Sequence, residues 1–216
     1  MCPLIRGFDR GNSVRSIVIL NITMTKESTR EKLRALLAER ALILGPITLS
    51  SGKQSNHYFD CRRLTLNSEG ADLVGDAVLD VIQELPEKPL AIGGLTHGAD
   101  PIIVAVMMKA RQRGLAIDGF FVRKEAKTHG TKNLIENAPK PGTKVVIVDD
   151  VVTAGGSVLK AIEDAGQAGC KVVAAITLVD RKEGGGDKIR AKIARYIPLF
   201  TLDDFRDKLS QERTAG

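Results

Sequence analysis

Tryptophan is missing from this chain of 216 residues, and aromatic side chains make up only 4% of it. Proteins that hold single-stranded nucleic acid by stacking its bases on aromatic rings need more than that, so the composition argues against such a role. Cysteine is also scarce. Cys2, Cys61 and Cys170 are odd in number and far apart, with no CxxC pair. That excludes a zinc ribbon or a disulfide framework and suits a reducing, cytoplasmic setting. His57, His97 and His129 show no HExxH spacing. No apolar run approaches the roughly 20 residues of a membrane-spanning helix. Neither GxxxxGK nor GxGxxG occurs, so P-loop and dinucleotide-binding readings fail.

What is present is ordinary for a globular protein. Hydrophobic residues are 43% and charged residues 27% of the chain, a composition and length that suit one α/β domain with a substantial core. The formal net charge is +6. A basic surplus suits nucleic acid or a polyanionic small substrate, and the position of the cations decides between them.

Residues 1–24 carry Arg6, Arg10 and Arg15 ahead of Ile17 to Leu20, too short an apolar run for a secretory signal. They are expected to form a disordered or loosely attached extension, with Met24 as an alternative start, and 25–216 to form a single domain. From Thr25, Leu33, Leu36, Leu37 and Ala41 share one helical face. Ser28 and Glu31 offer a capping box and Gly45-Pro46 a stop. Ile47 to Leu49 and His57 to Asp60, joined by Ser51-Gly52-Lys53-Gln54-Ser55, predict a β-hairpin arm. Ser68 is expected to cap a helix that buries Leu73, Ala77, Val78, Val81, Ile82 and Leu85 and stops at Pro86. Leu90 to Ile92 reads as a short strand running into a glycine-rich loop, Gly93 to Pro101. A helix over 102–113 follows, burying Ile103, Val106, Met107 and Ala110, and then a strand over 117–122. Arg123 to Pro141 has no apolar periodicity, so a long functional or disordered loop is expected. Lys171 to Val179 is a buried strand ending at Asp180-Arg181. The glycines within 183–187 are expected to be flexible. Tyr196 to Phe200 is a last strand, and Thr201 caps a final helix with Leu202, Phe205 and Leu209. Strands alternating with helices predict an α/β fold, a doubly wound, mainly parallel central sheet flanked by helices.

The chemistry centres on VVIVDDVVTAGGSVLKAI, Val145 to Ile162. Val145 to Val148 is a β-branched apolar run, the pattern of a strand buried on both faces. Asp149 and Asp150 stand at its carboxyl end, where open α/β sheets place ligands. Thr153-Ala154-Gly155-Gly156-Ser157 then turns into a helix. A turn of such small residues lets backbone N–H groups approach a phosphate, and the helix N-terminus adds partial positive charge. Two carboxylates beside an anion cradle are reconciled by a sugar phosphate. The cradle holds the phosphate, while the acids accept hydrogen bonds from ribose hydroxyls or stand near Mg2+. A second cluster is RKEAKTHG, Arg123 to Gly130, with Arg123, Lys124, Lys127 and His129 in seven residues. Directly after a parallel strand, such a loop can close over a polyanion and neutralise its charge.

The string 145–162 closely resembles the phosphoribosyl pyrophosphate (PRPP) signature of type I phosphoribosyltransferases. RKEAKTHG looks like the catalytic loop of orotate phosphoribosyltransferases, SGKQSNHYFD resembles their amino-terminal substrate arm, and VDRKEGG matches the segment that contacts the orotate carboxylate. The four motifs run in the family's order from about Leu49 to Gly185. The resemblance implies the type I phosphoribosyltransferase fold with a small amino-terminal hood, and transfer of a 5-phosphoribosyl group from PRPP to orotate in pyrimidine biosynthesis, with Mg2+. It implies that Asp149 and Asp150 hold the ribose. The PRPP site would run through Val151, Val152, Thr153, Ala154, Gly155, Gly156 and Ser157. Arg123, Lys124, Lys127 and His129 would gather the pyrophosphate. Orotate would meet Thr153, Arg181, Tyr58 and Phe59. The resemblance also implies a homodimer in which Lys127 and His129 reach into the neighbouring subunit's site, with no nucleic acid or membrane as partner.

Two positions depart from the family pattern. Ser50 stands where some members have Lys before the Ser-Gly of the arm, and Lys53 is the alternative cation. Thr96-His97 replace the Tyr-Lys of the glycine-rich pyrophosphate loop. Two other readings stay open: a type I phosphoribosyltransferase for a purine or other base, and a PRPP-binding regulator on the same fold. RKEAKTHG and Arg181 argue against the first. The lack of room for a helix-turn-helix in the first 24 residues argues against the second.

Overall fold

A computed structural model describes residues 27–48, 52, 54–125 and 134–211. The extension 1–24, Ser50, Lys53, Lys127 and His129 lie outside the described residues.

Helix α1 covers 27–36 and passes through a π-helical turn, Leu37–Ala41, into strand β1, Leu42–Thr48. Leu33, Leu36, Leu37 and Ala41 are buried as their spacing predicts. Ser28 lies inside the helix, which is already formed at Glu27, so it is not the cap. Nor does Gly45-Pro46 end the helix. It sits within β1, where the pairing with β2 (Gln54–Phe59) shifts register between Leu44 and Ile47 and Gly45 has φ 115°. The chain breakers make a bulge in the hairpin arm rather than a stop.

A short helix α2, Arg62–Thr65, leads to α3, Ser68–Glu84. Its cap is Asn67, whose side chain accepts from the Gly70 N–H at 3.0 Å, one residue before the expected Ser68. The central sheet then forms from β3 (Ala91–Leu95), β4 (Asp118–Val122), β5 (Ile135–Glu136), β6 (Lys144–Val152), β7 (Lys171–Asp180) and β8 (Tyr196–Thr201), in the order β5-β4-β3-β6-β7-β8. All neighbours pair parallel except the edge strand β5, which runs antiparallel to β4. Helices α4 (Asp100–Gln112), α5 (Gly156–Gln167), α6 (Gly185–Lys192) and α7 (Arg206–Gln211) complete the chain. Thr201 caps the 3-10 turn before α7 in a reciprocal capping box with Asp204.

Alternate residues of β6 feed two cores. Val146 and Val148 pack with α3 and α4 residues such as Val78 and Ile103, whereas Val145 and Ile147 pack with α5 residues such as Val158 and Ala161. The chain leaves β3 for β4 and β5, returns to β6 on the other side of β3, and continues to β7 and β8. The carboxyl ends of β3 and β6 therefore flank the point where winding reverses, the crevice in which such sheets bind ligands.

Three further expectations are corrected. Strand β3 continues through Gly93 and Gly94, which are glycine for close packing: a Cβ on Gly94 would stand 2.1 Å from the Val148 carbonyl oxygen and one on Gly93 2.3 Å from the Phe120 ring. The loop after Arg123 contains β5. The glycines Gly184 to Gly186 belong to a helix start rather than to a flexible segment. Gly184, at φ 87°, caps α6, and Gly185 and Gly186 are its buried first residues.

Candidate active site

Asp149 and Asp150 belong to the last residues of β6 itself rather than to the loop after it. Asp149 is 6% exposed. Its Oδ1 accepts the Asp150 N–H at 3.0 Å, and Asp150 Oδ1 accepts the Val151 N–H at 2.7 Å. Burial, then the Asp150 carboxylate, pushes the Asp149 carboxyl well above its ordinary range, while the Asp150 N–H and Lys124 pull weakly the other way. Asp150 is raised by burial and held back by its backbone donor and by Arg62. Two acids with raised pKa in a buried corner suit a ligand that brings hydroxyl donors or positive charge.

The β3–α4 loop closes one side of the acid pair. A Cβ on Gly98 would lie 2.7 Å from both Asp149 Oδ1 and Asp150 Oδ1. Thr96 and His97 precede it. His97 is exposed and its Nδ1 is 3.4 Å from Asp100 Oδ2.

On the other side, Val151, Val152, Thr153, Gly155, Gly156, Ser157 and Val158 line a cavity of about 40 Å³ together with Asp149. Gly155 caps α5 at φ 81°, and the helix N-terminus opens at Gly156. The cradle is braced from behind. Gly185 donates its N–H to the Thr153 carbonyl at 2.9 Å. Ala154, also expected here, is exposed at the turn.

Arg181 adjoins this cradle, donating its N–H to the Val152 carbonyl at 2.9 Å. Its side chain is buried, with Nη2 2.8 Å from Glu183 Oε1 and 3.4 Å from Ser55 Oγ of the arm. Tyr58 is half-buried. Phe59, its neighbour on β2, faces the opposite way and is only 3% exposed. It packs edge-on against Phe205 with ring centroids 5.1 Å apart. Phe59 is therefore a core residue and not a second wall for a planar ligand. Of the basic loop, Arg123 is engaged by Glu136, Nε to Oε1 at 2.6 Å, and Lys124 is exposed on the side of Asp149.

Two side chains at this edge were not singled out from the sequence. Arg62 donates its Nε to Asp60 Oδ1 at 3.1 Å and turns its charge toward Asp150. His57 lies beside Arg181. His57 lies within the arm motif and Arg62 two residues past it, which is their only signal in the sequence. Among the described residues no three His, Cys, Asp or Glu side chains converge on a metal position. The donors that remain, two adjacent carboxylates, fit an ion such as Mg2+ that keeps most of its shell in water and substrate phosphate.

This sheet edge, with acids, cradle and cations gathered at the winding reversal, is that of a phosphoribosyltransferase. The family model described as phosphoribosyl transferase domain matches residues 62–198. An orotate phosphoribosyltransferase of Rhodopirellula baltica is 43% identical over 175 residues, 79% of this chain and 91% of the relative. One of Streptomyces coelicolor is 44% identical over 161 residues, 74% of this chain and 87% of the relative. The Mycobacterium tuberculosis orotate phosphoribosyltransferase solved with PRPP superposes with a TM-score of 0.68 at 33% identity, covering 82% of this chain and 98% of that one. The chain belongs to the orotate phosphoribosyltransferase family. No helix among its described residues is long and apolar enough to cross a membrane.

Proposed function

We propose that the chain transfers the 5-phosphoribosyl group of PRPP to orotate, releasing pyrophosphate and forming orotidine 5'-monophosphate in the cytoplasm. One observation carries the reading: a buried arginine, Arg181, hydrogen-bonded by its backbone to the strand that leads into the phosphate cradle. Its guanidinium, which reaches Ser55 of the arm, selects an acidic base, because its planar fork matches a carboxylate and a neutral purine has none to offer.

The family resemblance assigns the roles, and the positions of the described residues support them. The backbone N–H groups of Thr153 to Ser157 hold the 5-phosphate at the start of α5, and the Thr153 hydroxyl turns toward the base. Asp149 and Asp150 accept hydrogen bonds from the ribose hydroxyls and fix the anomeric carbon as it gains positive charge. Their carboxylates are also the groups able to hold Mg2+, which when bound adds positive charge beside the pyrophosphate. Lys124, Lys127 and His129 gather the leaving group, with Arg123 exchanging Glu136 for it, and Thr96 and His97 border the same space. Tyr58 flanks the pyrimidine. Catalysis is then positioning plus charge stabilisation, with little covalent work for the protein. A homodimer shares the loop, Lys127 and His129 serving the neighbouring subunit.

Initial rates followed by orotate absorbance, with PRPP and Mg2+, test the proposal. Orotate is expected to be consumed in step with pyrophosphate release. A flat trace from enzyme that turns over adenine or hypoxanthine would refute it.

A further inference from the structure

Arg181 sits in a turn that leaves it little freedom. Lys182, the next residue, has φ 57° and donates its N–H to Asp180 Oδ1 at 2.7 Å, and Gly184 follows at φ 87°. The turn folds Glu183 back until Oε1 lies 2.8 Å from Arg181 Nη2. The two partners differ in exposure: the arginine side chain is 4% exposed, the glutamate 43%. A buried cation is thus neutralised by a carboxylate reaching in from the surface.

The pairing is incomplete. Glu183 and Ser55 Oγ both engage Nη2, whereas Arg181 Nε finds no hydrogen-bond partner among the described residues. His57 Nε2, two residues along the arm from Ser55 and on the same face, is likewise buried without one. Burial, then the charge of Arg181, favours the neutral imidazole, so His57 adds no second cation there.

We propose that Glu183 is an internal stand-in for the carboxylate of the incoming base. It neutralises Arg181 while the site is free, and it swings out when a carboxylated pyrimidine takes the guanidinium through Nε and Nη2 together. The inference rests on the reading that Arg181 receives the base carboxylate. The exchange favours the ligand because a side-on carboxylate makes two charge-assisted bonds where Glu183 makes one. Glu183 can leave because its side chain already borders solvent. It is therefore a competitor that sets the affinity for acidic bases and is indifferent to the sugar phosphate.

Calorimetric titration of the full chain with orotidine 5'-monophosphate, and separately with PRPP, tests this in Glu183→Gln and Arg181→Gln. Loss of a competing hydrogen-bonded carboxylate is worth about three- to tenfold in affinity. Glu183→Gln is expected to bind the nucleotide tighter by that factor and PRPP as the wild type does. Nucleotide affinity unchanged or weakened in Glu183→Gln, with Arg181→Gln clearly weakened, would overturn the stand-in and leave the role of Arg181 intact. PRPP affinity raised as much as nucleotide affinity would also overturn it. Unchanged nucleotide affinity in Arg181→Gln would overturn the role of Arg181 and the stand-in with it.

Discussion

Gly185 donates its N–H to the carbonyl of Thr153 at 2.9 Å, and a Cβ on Gly185 would stand 2.3 Å from that oxygen. The first turn of α6 is thus the back wall of the Thr153 to Ser157 turn, and its approach is closer than any side chain allows. Gly185→Ala has to push the Thr153 to Ser157 turn outward. Small misplacements of a binding loop cost about 10- to 100-fold, and PRPP affinity is expected to fall in that range with little change in secondary structure. Calorimetry and circular dichroism check it. PRPP bound as tightly as by the wild type would show that the brace is irrelevant.

Asp149 has a pH signature. Burial and the adjacent Asp150 hold its pKa well above the ordinary carboxylate value in the folded state. The folded protein keeps that proton to higher pH than the unfolded chain does. Its contribution to stability is full below about pH 4 and is lost as pH rises through the raised pKa. Asp149→Asn is therefore expected to melt higher than the wild type at pH 8, with the gap closing as pH is lowered toward 4, while kcat/KM drops by roughly 100-fold or more. Melting curves across this range decide, and a variant less stable than the wild type at pH 8 contradicts the assignment.

Sharing of the basic loop between subunits is tested by mixing. Lys127→Ala and Asp149→Asn are each expected to be nearly inactive alone. If the loop serves the neighbouring site, hybrids formed after subunit exchange contain one site with both groups intact, and up to about a quarter of wild-type activity returns in an equimolar mixture. Failure to recover activity, with exchange verified by native mass spectrometry, would place Lys127 in its own subunit's site.

Tyr58 and Phe59 are expected to separate cleanly. Removing a buried phenylalanine costs about 3–5 kcal/mol, so Phe59→Ala, which empties the contact with Phe205, is expected to lower the melting temperature by roughly 2–4 °C for each kcal/mol. Tyr58→Ala is expected to leave the melt unchanged and to raise KM for orotate more than KM for PRPP. Equal effects of the two substitutions on orotate KM would restore Phe59 to the site.

Much of this architecture is legible in the chain because the signals are local. The apolar run before Asp149 makes a buried strand, the small residues after Val152 make a tight turn into a helix, and Thr201 makes a cap. What could not be read depends on partners distant in sequence. Gly45-Pro46 reads as a helix stop until β2 is seen to pair across it. Gly93 and Gly94 read as loop until Phe120 and the Val148 carbonyl are seen to need their missing side chains. The glycines after Glu183 read as a flexible segment because only Thr153, some thirty residues earlier, explains them. His57 lies inside the arm motif and Arg62 just past it, but only the fold brings the His57 ring to Arg181 and the Arg62 charge to Asp150.

The claim on which the account turns is that the enzyme couples a PRPP-binding edge to an arginine that selects an acidic pyrimidine. A single competition reaction tests it most directly: PRPP and Mg2+ with orotate, uracil, adenine and hypoxanthine at equal concentration, the nucleotide products resolved by mass spectrometry. The account predicts orotidine 5'-monophosphate as the dominant product from the wild type and its loss in Arg181→Gln. Adenosine or inosine monophosphate as the main product would contradict it.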